Sequence, residues 1–455
     1  MVMEFFTPES VMLYKSKSKQ FGSRSFCPSI PPHRQSLRER SSMAGKCCLR
    51  HRVKRSSNGF LLLLILAMGL NGFVYADEFK LIPSLGVNAE YTDNLFFDTQ
   101  NQVSDFRTTV TPGIEVLERT ERLDVRFRGW FPFIYYAENQ DLDAVDQYYR
   151  GALRYGLTPR FTTSIDAAYT KDSQPDRELL ATGLVMGTEK RTLQNYSLSG
   201  AYSLTEITSL DASFAYGSEN SADPRYVDVQ YYTTNLGIKR DLSSTFLNTE
   251  ARLVLGYDRY DYSFSVVKNI SGMIGATRRL SEVFSISADI GVRNTQSQFQ
   301  VARLEFVPPN SLRLVREELT SNDAGIVGRA AVSYEGELTT LSLSLFRDIA
   351  PSNGQGGIVE RRALVFDVGK RFTYELWGHL SAGYYQNQSE VTPYSFQRID
   401  ETTWRISPWL RYAFSRNLSL EGFYSYTRVH YIADNTNADQ NAVSVLLTYQ
   451  YPVVE

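Results

Sequence analysis

Apolar and polar residues alternate over long parts of this chain, and the alternation limits what it can fold into. In the stretch LDVRFRGWFPFIYY, residues 123–136, every odd position except Gly129 is apolar or aromatic, while Asp124, Arg126 and Arg128 occupy even positions. Successive side chains of a β-strand point to opposite faces, so the segment predicts a strand with one apolar and one charged face. The same period returns in LDASFAY (210–216), LSLSLF (341–346) and AVSVLLTYQY (442–451). The pattern predicts an all-β chain whose apolar faces meet either a protein core or lipid.

Short and long connections alternate between the predicted strands. Eight short polar turns are predicted at 117–122, 156–161, 203–208, 239–245, 277–283, 334–339, 369–375 and 414–417. Nine longer loops are predicted at 92–105, 136–147, 170–191, 217–229, 258–265, 293–321, 347–359, 385–401 and 427–441. This asymmetry is typical of outer-membrane barrels. We therefore expect a transmembrane antiparallel β-barrel of about 18 strands, with 16 strands as the alternative.

Aromatic residues recur where the predicted strands meet their connections. Tyr91, Tyr231 and Tyr384 stand beside long loops, and Tyr155 and Tyr334 stand beside short turns. Two belts of aromatic side chains mark the two interfaces of a bilayer, so their placement favours lipid over a protein core.

Two features predict irregular strands. Pro83, Pro112, Pro132 and Pro408 fall inside predicted strands, where each removes a hydrogen-bond donor. The alternation also shifts between Tyr231 and Ile238, which predicts either a β-bulge or a misplaced strand there.

Residues 1–76 have the layout of an amino-terminal extension followed by a secretory signal peptide. A basic stretch from Arg50 to Arg55 precedes an apolar run from Phe60 to Val74. The small residues of a cleavage site follow at Val74-Tyr75-Ala76. The run is shorter than the roughly 20 residues of a membrane helix. We expect translation from Met43, cleavage after Ala76, and a barrel formed by residues 77–455.

The charge of the remaining chain excludes nucleic acid as a partner. Removal of residues 1–76 takes away 12 of the 48 basic and 3 of the 50 acidic residues, which leaves a formal net charge of −11. All three cysteines are removed as well. No Gly-rich phosphate loop, metal-spaced His/Cys cluster or nucleophile elbow is present. We therefore predict no enzyme activity, no cofactor and no metal; the expected partners are outer-membrane lipid and lipopolysaccharide.

The polar parity of the strands collects charged residues that are candidates to line the lumen. They are Arg126, Arg128, Arg150, Arg154, Arg252, Arg405, Arg411, Asp124, Asp166 and Asp289. Two interpretations remain open. The arginines could orient an anionic solute, since a guanidinium suits carboxylate and phosphate. Alternatively, the charges pair across strands in a hydrated lumen.

The segment LGVNAEYTDNLFFD, residues 85–98, resembles the first strand and loop of exopolysaccharide-associated and porin-2-like outer-membrane barrels of Gram-negative bacteria. The shared signature is aromatic-x-Asp-Asn-x-Phe, here Tyr91, Asp93, Asn94, and Phe96 or Phe97. The resemblance implies location in the outer membrane and assembly by the barrel-insertion machinery. It implies a porin-like passage for polysaccharide or small solutes, including anionic ones, with a link to exopolysaccharide export. The alternative is a plugged barrel with a structural or surface-interaction role.

Overall fold

The computed structural model describes residues 78–453 except 174–178, 184–189, 225, 308–310, 353–355 and 390–398. The predicted extension, start site and signal peptide lie outside these residues. The strands are β1 (Glu78–Thr92), β2 (Asp105–Arg119), β3 (Leu123–Trp130), β4 (Phe133–Tyr136), β5 (Ala144–Val145), β6 (Gln147–Thr158), β7 (Phe161–Asp172), β8 (Arg191–Ser203), β9 (Thr208–Ser221), β10 (Val229–Asp241), β11 (Thr249–Tyr262), β12 (Ser265–Arg279), β13 (Phe284–Val307), β14 (Ser311–Glu335), β15 (Thr339–Pro351), β16 (Ile358–Arg371), β17 (Leu376–Ser389), β18 (Asp400–Ala413), β19 (Leu418–Tyr431) and β20 (Thr436–Gln450). A single 3-10 turn, Gln140–Leu142, is the only helical element among the described residues. None of the described residues form a helix long and apolar enough to cross a membrane.

The sheet closes on itself as an antiparallel barrel. Each strand pairs with its neighbours in chain order, and β20 pairs with β1 to complete the ring. β3 and β4 both pair with β2 and form one interrupted wall strand, while the two-residue β5 pairs only with β4. The wall therefore has 18 strands, which confirms the predicted count.

The apolar residues of the alternating pattern face outward around the ring. Residues opposite one another in register share a face. On this outer face Leu198 lies opposite Phe214, and Ile274 lies opposite Ile290. These side chains are about half exposed or more, Ile290 at 63%. A continuous exposed apolar band is what lipid requires, so the apolar face of residues 123–136 also meets lipid.

The predicted irregularities are partly confirmed. Pro132 falls in the gap between β3 and β4, and Pro408 falls where the β18–β19 ladder skips from Ile406 to Trp409. The predicted bulge in β10 is wrong, because that strand keeps its register throughout. Tyr231 faces inward and Tyr232 faces outward, so Tyr231 does not belong to the aromatic belt.

All eight short turns are confirmed, but several predicted long loops are strands. The largest difference is at 293–321, where β13 and β14 continue as a paired ribbon up to Val307 and Ser311. β11 and β12 are joined by only two residues, 263 and 264. Polar residues on both faces hid these extensions, because strands that rise beyond lipid no longer need an apolar face.

The aromatic-x-Asp-Asn-x-Phe signature closes the barrel. Beyond the last β1–β20 pair, Asp93 accepts hydrogen bonds from the backbone N–H and side-chain amide of Asn441, each at 2.7 Å. Asn94, which is fully buried, donates to the carbonyls of Asp98 (2.9 Å) and Asp439 (2.8 Å). Its own carbonyl accepts from Gln440 at 2.8 Å. We call Asp93, Asn94, Asp439, Gln440 and Asn441 the closure cluster.

Asn94→Ala should destabilise the barrel by about 1–3 kcal/mol, because it leaves buried carbonyls without donors. The protein is titrated with urea in detergent micelles, and the folded form is followed as the faster-migrating gel band. The measurement is the urea concentration at which half of the protein is unfolded. Asn322→Ala is the control, since Asn322 is exposed on β14. Equal midpoints for the two variants would mean that the closure cluster contributes no stability.

Leu198→Arg should impair assembly by about 2–4 kcal/mol, because Leu198 faces lipid near the middle of β8. Ser199→Arg, one residue along and facing inward, should assemble normally. The fraction of each variant that is found in the folded gel band after refolding measures both effects. Equal impairment would contradict the assigned faces.

Candidate functional site

A segment from the long connection between β7 and β8 crosses the barrel interior. Leu179 is 2% exposed and packs with Phe97, Val429 and Ala438, the last two on the inner face of β19 and β20. Burial of a leucine side chain stabilises a contact by roughly 1.5–3 kcal/mol. We call residues 179–183 the crossing segment. It narrows the barrel at its long-loop end.

Polar contacts hold the crossing segment to the far wall. Asn387 of β17 donates to the carbonyl of Leu179 at 3.4 Å, and Gly183 turns against the carboxylate of Glu401 on β18. Gly183 has a φ of +82°, a conformation that favours glycine. A Cβ added at this position would collide with the carboxylate of Glu401. A glycine is therefore required for this approach.

Other long-loop elements also pack inward. Tyr226, between β9 and β10, packs against the buried Val359 of β16 and Ile399. The tip of the β15–β16 hairpin reaches Tyr262 of β11, whose hydroxyl donates to the carbonyl of Gly357 at 2.6 Å. Nearly all the fully buried side chains of the described residues lie in this half of the barrel. The short-turn half has exposed inward side chains by contrast.

Buried ion pairs line the packed half. Arg107 of β2 pairs with Glu90 of β1 at 2.5 Å. Arg191 of β8 contacts Asp172 at 3.3 Å and Glu219 at 3.1 Å, and all three side chains are at most 5% exposed. Buried charges need partners of this kind because desolvation is expensive. The Arg191 group was not predicted from the sequence, because its residues fall in the predicted loops 170–191 and 217–229. Longer strands with the same alternation would have placed all three side chains on the inner face.

Four arginines form a basic surface on the inner face of β3 and β6, below the packed half. Arg126 and Arg128 are opposite Ala152 and Arg150 in register, and Arg154 is opposite Asp124. We call Arg126, Arg128, Arg150 and Arg154 the arginine wall. Arg150 and Arg154 are four residues apart, so the wall extends over about 13 Å along β6.

The arginine wall is only partly neutralised. Arg128 contacts Glu115 at 2.9 Å, and the Oδ2 of Asp124 accepts its hydrogen bonds from Arg119 rather than Arg154. Arg150 lies over the Trp130 ring at 5.8 Å. Neither Arg150 nor Arg154 forms an ion pair within the described part of the chain, and both are exposed to the interior. Positive charge is therefore available on this surface.

The other predicted lumen residues also lie on the inner face, mostly in local pairs. The buried carboxylate of Asp289 contacts Arg252 (2.5 Å) and the exposed Arg329 (2.7 Å). Arg411 contacts Glu421 at 3.4 Å. Arg405 donates to the hydroxyl of Ser407 at 3.2 Å, and Ser197 donates to Asp166 at 3.3 Å. Arg252, Asp289 and Arg411 thus contact opposite charges, whereas Arg405 and Asp166 contact hydroxyl groups. A role in solute passage stays a prediction for all ten residues.

The acidic connection after β4 serves local structure. Asp143 accepts from the backbone N–H of Tyr136 at 2.9 Å, and Asp146 accepts from Ser173 at 3.1 Å. Asp105 accepts from the backbone and side chain of Asn139. Among the described ranges, no group of three or more His, Cys, Asp or Glu residues could hold a metal ion.

Several solved outer-membrane proteins are similar to this chain at low identity. Pseudomonas aeruginosa OpdO is 10% identical over 83% of this chain and 98% of its own, with a TM-score of 0.42. P. aeruginosa OccK1 (OpdK) is 12% identical over 82% and 98%, with a TM-score of 0.41. The ferric-catecholate import receptor Fiu of Escherichia coli K12 is 7% identical over 81% of both chains, with a TM-score of 0.43. No protein family and no curated protein matches the chain. Likeness at this level assigns no substrate, and the fold rests on the registers described above.

The chain is a transmembrane antiparallel β-barrel with an apolar exterior and a polar, charged interior. A closed barrel of 18 strands with this exterior is a protein of the Gram-negative outer membrane.

Gly183→Ala should displace the crossing segment and raise single-channel conductance if the barrel conducts, because the new Cβ collides with Glu401. Gly357→Ala is the matched control: it also has a positive φ, but its Cβ would meet open space. Unchanged conductance in Gly183→Ala relative to Gly357→Ala would show that the segment does not narrow a passage.

Proposed function

We propose that the barrel is a passage for small anionic solutes. The observation behind this proposal is the arginine wall, where Arg150 and Arg154 face the interior without a carboxylate of their own. Unpaired positive charge in a narrow, low-dielectric passage concentrates anions. The charges that line a pore decide its selectivity. A net charge of −11 outside residues 1–76 therefore does not make the passage cation-selective.

The surroundings of the wall suit a solute with an apolar part. Trp130 and Tyr148 stack at 5.2 Å between ring centroids on the same inner face, directly beside Arg150. A guanidinium next to an aromatic surface can bind a carboxylate while the ring contacts the rest of the molecule. The wall begins where the packed half ends, so a solute that passes the crossing segment meets it next. Transport of polysaccharide and a link to its export stay predictions from the resemblance.

A plugged barrel with a surface role is the second candidate. It is favoured by the packed half, in which Leu179 and Tyr226 are both seated on the opposite wall. In this alternative the inward packing is permanent and the external loops bind surface polymer or proteins.

Conductance of the refolded chain 77–455 in planar bilayers separates the two candidates. An anion-favouring reversal potential under a salt gradient is expected, and Arg150→Ser with Arg154→Ser should reduce that preference. Replacement of all four wall arginines by serine should abolish or reverse it, because the basic surface is removed.

The control is Arg240→Ser with Arg278→Ser, which removes the same charge from the exterior at the short-turn end. This control should leave the reversal potential unchanged. Cation selectivity of the unmodified protein would contradict the proposal, and a complete lack of conductance would favour the plugged barrel.

A further inference from the structure

Three aromatic side chains form a row on the inner face of the short-turn half. His379 of β17, Trp409 of β18 and Phe423 of β19 are directly opposite one another in register. The ring centroids of His379 and Trp409 are 5.5 Å apart, and those of Trp409 and Phe423 are 6.1 Å apart. Trp404 and Leu410 of β18 are exposed on the outer face, so Trp409 faces the interior. We call His379, Trp409 and Phe423 the aromatic row.

The aromatic row has no apolar cover within the described part of the chain. All three side chains are partly exposed, and none of them belongs to a buried apolar cluster of the described residues. Val429, which contacts the crossing segment, is six residues above Phe423 on β19, a rise of about 20 Å. Exposed apolar surface costs free energy in water, and a barrel interior is ordinarily polar. The aromatic row is therefore a candidate surface for a ligand.

Polar side chains border the aromatic row on its long-loop side. Asp367 of β16, Ser381 of β17 and Ser407 of β18 are in register one step above it, a rise of about 7 Å. The Oδ1 of Asp367 is 3.7 Å from the Nε2 of His379, and the Asp367 side chain is 32% exposed. A carboxylate and two hydroxyl groups are thus within reach of a molecule that lies on the rings.

Charged side chains border the aromatic row on its short-turn side. Arg371 of β16, Trp377 of β17, Arg411 of β18 and Glu421 of β19 are in register one step below it. The guanidinium of Arg371 lies over the Trp377 ring, 5.1 Å from its centroid. The Nε of Arg411 is 3.4 Å from the Oε1 of Glu421, and the Arg411 side chain is 47% exposed. Hydrogen-bond donors and acceptors therefore lie side by side along this border.

This arrangement fits a neutral sugar. A pyranose ring has a face of C–H groups, which packs on the negative face of an aromatic ring, and a rim of hydroxyl groups, which donate and accept hydrogen bonds. Charged partners strengthen such bonds. The two borders carry carboxylates and guanidiniums together, so neither sign of charge is in excess. This balance differs from that of the arginine wall and favours an uncharged ligand.

We propose that the aromatic row and its two borders form a binding site for a neutral oligosaccharide. Trp409, at the centre, stacks on one sugar ring and Phe423 on the next, because side chains on neighbouring strands are about 5 Å apart. Asp367 and Glu421 accept hydrogen bonds from the hydroxyl groups on either side. The site lies on β16–β19, apart from the arginine wall on β3 and β6, and its occupation does not require the barrel to conduct.

Calorimetric titration of the refolded chain 77–455 with maltotriose and with cellotriose tests the proposal, in a detergent that has no sugar headgroup. At least one trisaccharide should bind, whereas sorbitol, which has hydroxyl groups but no ring, should not. Trp409→Leu should weaken binding by about tenfold or more, because the central ring is lost. Trp404→Leu is the matched control: the same change on the outer face of the same strand should leave the affinity unchanged.

Equal affinities of the two tryptophan variants would overturn the proposal. Failure of both trisaccharides to bind, or equally tight binding of sorbitol, would also overturn it. If Trp409→Leu does not fold, Phe423→Leu takes its place and should weaken binding relative to Tyr424→Leu, its neighbour on the outer face. Equal binding by that second pair contradicts the site. The proposed passage is tested separately by its reversal potential, so either proposal can fail without the other.

Discussion

Closure of the sheet between β1 and β20 is the constraint on which the rest of this structure depends. Lipid offers no hydrogen-bond partners, so each backbone N–H and C=O within the membrane must pair inside the protein. An open sheet of this length would leave two unpaired edges. The pairs from Ser84↔Gln450 to Thr92↔Ala442 remove both of them. The closure cluster then continues the join with side chains, because the strands separate above Thr92.

Closure of the barrel creates an interior whose two halves differ in packing and in the burial of their charges. The long-loop half is packed by the crossing segment and the β15–β16 hairpin, and its charges are desolvated and matched, as in Arg107–Glu90. Removal of one member of such a pair would leave an uncompensated buried charge. In the short-turn half Arg154 is exposed to the interior, so its charge is not desolvated and needs no buried partner. The proposed passage and the plugged alternative differ only in whether the packed half opens.

The exterior of the barrel follows the height of the bilayer. Leucine and isoleucine cover the apolar band, and aromatic rings such as Tyr384 and Trp404 mark its edge. Above the level at which β14 and β15 separate, the β15–β16 hairpin leaves the wall, because Ile349 and Ile358 pack on the inward-facing Tyr260 and Tyr262.

The sequence by itself determined the all-β class, the 18 strands, the eight short turns and the inward parity of Arg126 and Arg150, because a two-residue period has only two faces. It did not show where strands end: β13 and β14 rise far beyond the predicted boundary, since alternation disappears once neither face meets lipid. Tyr231 was misplaced for a related reason, because an inward aromatic looks like a belt residue until its partner across the sheet is known. Contacts between distant parts of the chain were decided only by the tertiary structure. Nothing local in the sequence indicates that Leu179 packs on Val429 or that Asn94 binds the carbonyl of Asp439, because those partners meet only when the barrel closes.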